Sequence, residues 1–267
     1  MSFVETTDLS DGVRLVTLNR PERMNAMAFD VMIPLRDALL DVGNDNSVRA
    51  VIVTGAGTGF CSGADLENPG RIPHVEGLTT STIALRSMEL LESVILTVRR
   101  LHQPVIAAVN GAAIGGGFCL AMAADIRVAS TAAYFRAAGI TNGLTAGELG
   151  LSYLLPRAIG SSRAAEVMLT GRDVDASEAE RIGLVSTVTE PDDLIPHCTQ
   201  IASRIGAYSR PGVELTKRML WSSLDASSLE AHMDNEGTAQ LYVRLTTKNF
   251  EEAITARSEK RPPEFKD

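Results

Sequence analysis

Apolar and polar residues alternate from Val13 to Leu18, the period-two pattern of a half-buried strand, and from Ala28 to Val42 apolar residues recur at helical spacing. The chain therefore opens β-β-α. Residues 49–54, RAVIVT, are a short β-branched run that breaks on Gly55-Ala56-Gly57-Thr58-Gly59 and continues into Phe60-Cys61-Ser62-Gly63-Ala64-Asp65, a strand feeding a glycine-rich turn. Asn68-Pro69-Gly70 and Pro73 then loosen the chain over residues 67–80, a loop of the kind that covers sites, before a predicted helix over 81–101. PVIAAVNG (104–111) reads as a further strand, Gly115-Gly116-Gly117 as the start of an apolar helix, and Asp125 to Ser130 as a strand again. From Ser161 the pattern turns helical, with candidates at 161–169, 177–182, 192–206, 211–223, 226–245 and 248–257, some opened by Ser or Pro. The class is α/β, a strand-rich core followed by a helical tail, without an internal sequence repeat. The tail's amphipathic helices carry more apolar face than a small appendage buries alone, which predicts self-association.

Charge and composition narrow the function. A formal charge of −8 and a pI near 5.1 argue against a general nucleic-acid or anionic-membrane binder, and no basic run exceeds the pairs Arg99-Arg100 and Lys260-Arg261. The first twenty residues lack a signal-peptide pattern and no later stretch approaches a membrane span, so a cytoplasmic protein is expected. Cys61, Cys119 and Cys198 show no metal spacing and read as reduced packing thiols. His74, His102, His197 and His232 show no HExxH or paired spacing, so no metal site is expected.

The two strand-to-glycine turns, at 55–65 and 111–117, carry the chemistry. Neither matches G-x-G-x-x-G or GK[ST], which argues against a dinucleotide or P-loop site. Taken singly, each is an ordinary strand–helix joint. Taken together, each ends in small residues with an N–H free to point outward, and two such donors on one carbonyl oxygen form an oxyanion hole. Each donor on a developing negative oxygen stabilises a transition state by about 2.7–4 kcal/mol.

LNRPERMNAM (18–27), GFCSGADL (59–66), AVNGAAIGGGFCLAMAADIRVAS (108–130), LLPRAIGSSRAAEVMLTGR (154–172) and AERIGLVSTV (179–188) resemble, in order, the blocks of the crotonase, or enoyl-CoA hydratase/isomerase, superfamily. The resemblance runs from about residue 13 to the end. It implies a spiral of ββα units over residues 1–200 and a C-terminal helical region, 201–267, used in assembly as a trimer or dimer of trimers. It implies an acyl-CoA thioester as substrate, with no permanently bound cofactor, and thioester enolate chemistry in fatty-acid or related metabolism. The backbone N–H groups of Ala64 and Gly116 match the family's oxyanion donors. Arg23, Ala26, Ser62, Ala64, Asp65 and Leu66 match the segments that bind CoA, largely through backbone. Lys260 resembles a basic residue that reaches the nucleotide phosphates, often from a neighbouring subunit, and reads equally as a solvated lysine in a charged tail.

The chain departs from the family's hydratases at the acid/base positions. Those enzymes place one glutamate two residues after the triple glycine and a second twenty residues later, one to activate water and one to handle the Cα proton. Here the positions hold Cys119 and Gly139. A glycine has no side chain and a thiol in an apolar helix is a poor proton donor to carbon. Glu148, eight residues before Pro156, matches the catalytic carboxylate of the family's isomerases. One carboxylate suffices to move a proton between carbons while the oxyanion hole carries the enolate charge. Glu148 also reads simply as an acidic residue ahead of an apolar helix at about 149–155, a favourable placement. Asp65 reads as a turn cap and Asp125 as a structural hydrogen-bond partner. Double-bond isomerisation is the leading expectation; the alternatives are true hydration and a non-catalytic CoA-binding or scaffold protein.

Overall fold

The N-terminal hairpin pairs β1 (Val4–Ser10) with β2 (Val13–Leu18) in antiparallel fashion, and after α1 (Phe29–Asn44) the buried strand β3 (Ala50–Gly55) joins β2 in parallel. This architecture comes from a computed structural model that describes residues 2–266. From β3 the chain repeats one manoeuvre: a strand in a larger sheet, a sharp turn, a three-residue strand in a second sheet, then helix. β3 leads to β4 (Gly59–Cys61) and α2 (Thr80–Arg100); β5 (Val105–Val109) leads to β6 (Ala112–Ile114) and α3 (Gly116–Ala123). β7 (Ile126–Ser130) leads to β8 (Tyr134–Arg136), then α4 (Leu151–Ile159) and α5 (Ser161–Thr170). β9 (Asp173–Asp175), α6 (Ala176–Arg181) and β10 (Thr187–Thr189) close the spiral. The larger sheet runs β1-β2-β3-β5-β7-β10 and the smaller β4-β6-β8-β9. This is the expected spiral of ββα units.

Strand periodicity distributes the core. In β3 and β5, Val51, Val53, Val105, Ala107 and Val109 face the main core with Leu35, Phe60, Phe118 and Phe135, while Ala50, Ile52, Ile106 and Ala108 face the opposite side. There Leu194, Cys198 and Ala202 of α7 (Leu194–Gly206) cover them. The sheet-packed core therefore includes α7 residues as far as Ala202.

The short strands escape a periodicity reading because three residues show no period. β9 and β10 accordingly fall in the gaps between the helices expected at 161–169, 177–182 and 192–206, and pair with β8 and β7. Beyond α7 lie α8 (Arg210–Ser222), α9 (Leu229–Thr246) and α10 (Asn249–Glu259). These helices leave Leu220, Leu229, Met233, Leu241, Leu245 and Ile254 more than half exposed. Among the described residues no helix is long and apolar enough to cross a membrane. All three cysteines are free and buried, and burial pushes the Cys61 and Cys198 thiols up to about 12.

Candidate active site

The segment between β2 and α1 is shaped by a buried asparagine. Met24 and Asn25 both take left-handed backbone, φ 47° and 56°. The Asn25 side chain holds that bend: Oδ1 accepts from Arg20 N–H (2.9 Å), and Nδ2 donates to Ala56 O (2.9 Å) and Gly59 O (2.8 Å). The loop is thereby pinned to the β3–β4 turn. Ser62 then donates through its N–H to Met24 O (3.0 Å) and through Oγ to Arg23 O (3.3 Å).

Ala64 is presented by a one-residue bridge. Met27 N–H donates to Gly63 O (2.7 Å) and Asp65 N–H donates to Met27 O (3.3 Å). Both bonds use the peptide groups flanking Ala64, so its own N–H and C=O point the other way. Gly63 sits at φ +84°, and a Cβ there would lie 2.7 Å from Ile114 O, so only glycine lets this turn settle on the end of β6.

The second donor comes from the first turn of α3. Its first helical bond runs from Cys119 N–H to Gly115 O (3.0 Å), which leaves the Gly116 N–H without an intrahelical acceptor. The two turns abut: a Cβ on Gly117 would lie 2.0 Å from Cys61 O, and one on Gly63 would lie 3.6 Å from Gly115 Cα. The structure therefore brings Ala64 and Gly116 to one corner. Neither N–H donates a hydrogen bond among the described residues.

Glu148 reaches the same corner from the irregular segment ahead of α4. A Cβ on Gly115 would lie 3.4 Å from Glu148 Oε1. The side chain is half-buried, and desolvation pushes its carboxyl above the usual range. Its carbonyl accepts Leu151 N–H (2.8 Å) and lies 3.4 Å from Cys119 Sγ, which donates to it. Between Glu148 and Leu151, Leu149 (φ +44°) and Gly150 (φ +85°) both turn left-handed. For leucine that conformation costs about 1–2 kcal/mol. The Cys119 thiol is raised by burial and then by the neighbouring Glu148 charge, so it stays protonated.

Other predicted residues are placed as follows. Asp65 is fully buried as a side chain, with Arg20 Nη1 2.8 Å from Oδ2 and Arg23 Nη2 2.9 Å from Oδ1. Its Oδ1 also accepts the N–H groups of Glu67 (3.1 Å) and Asn68 (2.9 Å), so it caps the turn and its carboxyl is held well below the usual range, chiefly by Arg23. Arg23 spends its other nitrogen on Glu67 (2.6 Å). Ala26 is buried, whereas Ala64 and Leu66 are exposed, Leu66 by 77%. Asp125 is structural: it accepts Val105 N–H (2.7 Å) and Trp221 Nε1–H (2.6 Å) and pairs with buried Lys217 (2.9 Å). Lys260 caps the C-terminus of α10, which packs on α9, and no hydrogen bond or ion pair among the described residues joins it to the 62–66 turn.

Sequence reasoning passed over Asn25, Met27 and Leu149. Asn25 lies inside a family-like block, and an asparagine tolerating left-handed backbone was its one available signal. Met27 and Leu149 meet only in three dimensions: a Cβ on Gly116 would lie 2.2 Å from Met27 Sδ and 3.6 Å from Leu149 Cδ1.

Comparison with known proteins shows the family. The family model for enoyl-CoA hydratase/isomerase matches residues 8–267. A relative from Mycobacterium bovis named a probable enoyl-CoA hydratase is 71% identical over 252 residues, 94% of this chain and 88% of that protein. The crystal structure of a probable enoyl-CoA hydratase/isomerase from Mycobacterium abscessus superposes with a TM-score of 0.96 at 67% identity, covering 100% of this chain and 99% of that one. That of a monofunctional enoyl-CoA isomerase from Mycobacterium smegmatis gives 0.75 at 62% identity, over 87% of this chain and 99% of that one. The chain belongs to the enoyl-CoA hydratase/isomerase, or crotonase, superfamily.

Proposed function

We propose that this protein moves the double bond of an enoyl-CoA, with Ala64 and Gly116 as oxyanion donors and Glu148 as the proton carrier. From a 3-enoyl thioester, the Glu148 carboxylate removes a C2 proton and the C–H pair enters the dienolate, whose charge rests on the thioester oxygen beneath the two N–H groups. The same proton returns to C4, the 3,4 double bond becomes 2,3, and the carboxylate is restored. No water and no resident cofactor take part.

One observation carries the choice of isomerisation. At position 139, where a hydratase of this family would carry its second glutamate, a Cβ would lie 2.1 Å from Thr145 O and 3.3 Å from Ala146 Cα. The backbone leading to Glu148 fills the place of that carboxylate. The other hydratase position is a buried, protonated thiol. The name of the M. smegmatis relative points the same way.

Coenzyme A is carried in by the substrate, along the Arg23 to Ala26 segment and the Ser62 to Leu66 turn. The arginine and aspartate side chains are committed to each other, so these contacts run through main chain. Lys260 serves the phosphates from a second copy, and the exposed leucines of the C-terminal helices are the surface of that assembly. Hydration is the second reading, favoured by the name of the M. bovis relative. Assay of 3-hexenoyl-CoA isomerisation beside crotonyl-CoA hydration separates the two. Isomerisation that falls about 10²–10⁴-fold in Glu148→Gln is expected; efficient hydration untouched by that change makes the protein a hydratase.

A further inference from the structure

We infer that Leu149 is a positioning residue for the proton carrier, held in a left-handed turn so that its side chain walls off the corner where Glu148 meets the Gly116 N–H. The inference rests on the reading of Glu148 above. Residues 148–151 close a tight turn: Leu151 N–H donates to Glu148 O at 2.8 Å, and both central residues have positive φ, 44° at Leu149 and 85° at Gly150. Such a turn has the form of type I′, whose central positions favour Gly, Asn or Asp. A bulky leucine at the first of them is out of place on backbone grounds alone.

Strained backbone of this kind persists where the surroundings over-determine it. Two ties do so here. Cys119 of α3 donates its thiol to Glu148 O, the same oxygen that closes the turn. The Leu149 side chain packs on the main core, with Cδ1 3.6 Å from the point a Cβ on Gly116 would take. That same glycine supplies the oxyanion N–H, and its neighbour Gly115 faces Glu148 Oε1. Glycine at 149 would satisfy the turn without strain, but the leucine side chain closes the corner opposite Met27. Its service is to the carboxylate: it keeps water from one side of Glu148 and keeps the carboxylate's approach to the substrate fixed.

The test uses the full-length chain and whichever of the 3-hexenoyl- to 3-dodecenoyl-CoA thioesters the wild type turns over fastest. Leu149→Gly removes the wall and the strain together, and Leu149→Met keeps an apolar side chain of similar volume. Expected for Leu149→Gly are a melting temperature within a few degrees of wild type, because lost packing and relieved strain oppose each other, kcat down about ten- to a hundred-fold and KM unchanged, as for a misplaced catalytic group. Leu149→Met is expected to retain most of kcat. A Leu149→Gly protein with wild-type kcat, or a Leu149→Met protein as slow as Leu149→Gly, overturns the inference while a slow Glu148→Gln leaves the function standing. A Glu148→Gln protein at full rate, or no turnover of any of these thioesters by the wild type, overturns both.

Discussion

The backbone half of the site and its side-chain half are built by opposite devices. Ala64 and Gly116 are presented by turns in which side chains are forbidden: Gly63 lies against Ile114 O and Gly117 against Cys61 O, and the donors are whatever N–H groups the bridge and the helix start leave over. Glu148 is presented by a turn in which a side chain sits where glycine would be easier, at Leu149. The proposed oxyanion corner thus rests on close backbone packing. The proposed proton carrier instead sits beside a left-handed leucine, and on the inference above that turn is the place where members of one fold can differ in reaction.

Within the backbone half, deleting a donor without touching the carboxylate should give the largest effect. Proline is tolerated at the first position of a helix and lacks an N–H, so Gly116→Pro in a Met27→Ala background, which clears the methionine sulfur, is expected to lower kcat about 10²–10³-fold relative to Met27→Ala alone. A drop of only a few-fold in steady-state turnover would remove Gly116 from the oxyanion hole. Next comes the anchor of the Ala64 turn. Asp65→Ala removes the buried partner shared by Arg20 and Arg23, leaving Arg23 with Glu67, and is expected to cost about 3 kcal/mol in denaturant unfolding. Because the Asp65 carboxyl is depressed in the fold, its contribution is complete above the ordinary carboxylate pKa and is lost as pH falls toward the depressed value. The variant should therefore lose less relative to wild type as the pH is lowered, and a pH-independent difference would contradict the assignment.

Gly117→Ala forces a methyl group toward Cys61 O and is expected to destabilise the chain by about 1–3 kcal/mol, read by thermal unfolding. A stable, fully active Gly117→Ala protein would mean that the α3–β4 contact is looser than described. The smallest effect has the opposite sign. Desolvation raises the Glu148 carboxyl, so the folded state binds its proton more readily than the unfolded chain, and stability falls as pH rises between the two pKa values. Glu148→Gln should thus be slightly more stable than wild type at pH 8 and equal to it at pH 4, while losing its turnover. For the wild type the same shift places the acidic limb of kcat/KM above the ordinary glutamate range, since the base must be ionised to accept the C2 proton.

Much of this site was legible before the structure, for a physical reason: glycines mark places where backbone must approach backbone, and they are visible as letters. Gly63 and Gly115 to Gly117 marked the two turns that the structure brings together, and Cys119 and Gly139 stand where the family resemblance implies a hydratase's glutamates. The strands β4, β6, β8 and β9 were not legible as periodic elements, because three residues define no period; their pairing is settled by neighbours far along the chain. The packing of α7 was not legible for a related reason, since its pattern is amphipathic whether its apolar face meets a sheet or another subunit.

The amino-acid sequence by itself determined the α/β class, the order of the long strands and helices, the two glycine turns and the single carboxylate left near them, because these rest on local pattern and residue type. The tertiary structure alone decided that Ala64 and Gly116 turn free N–H groups into one corner, that Thr145 and Ala146 occupy the space at Gly139, and that Leu149 is bent against its preference. Each of those outcomes depends on atoms brought within a few ångströms of one another from distant parts of the chain, and no local pattern records that meeting.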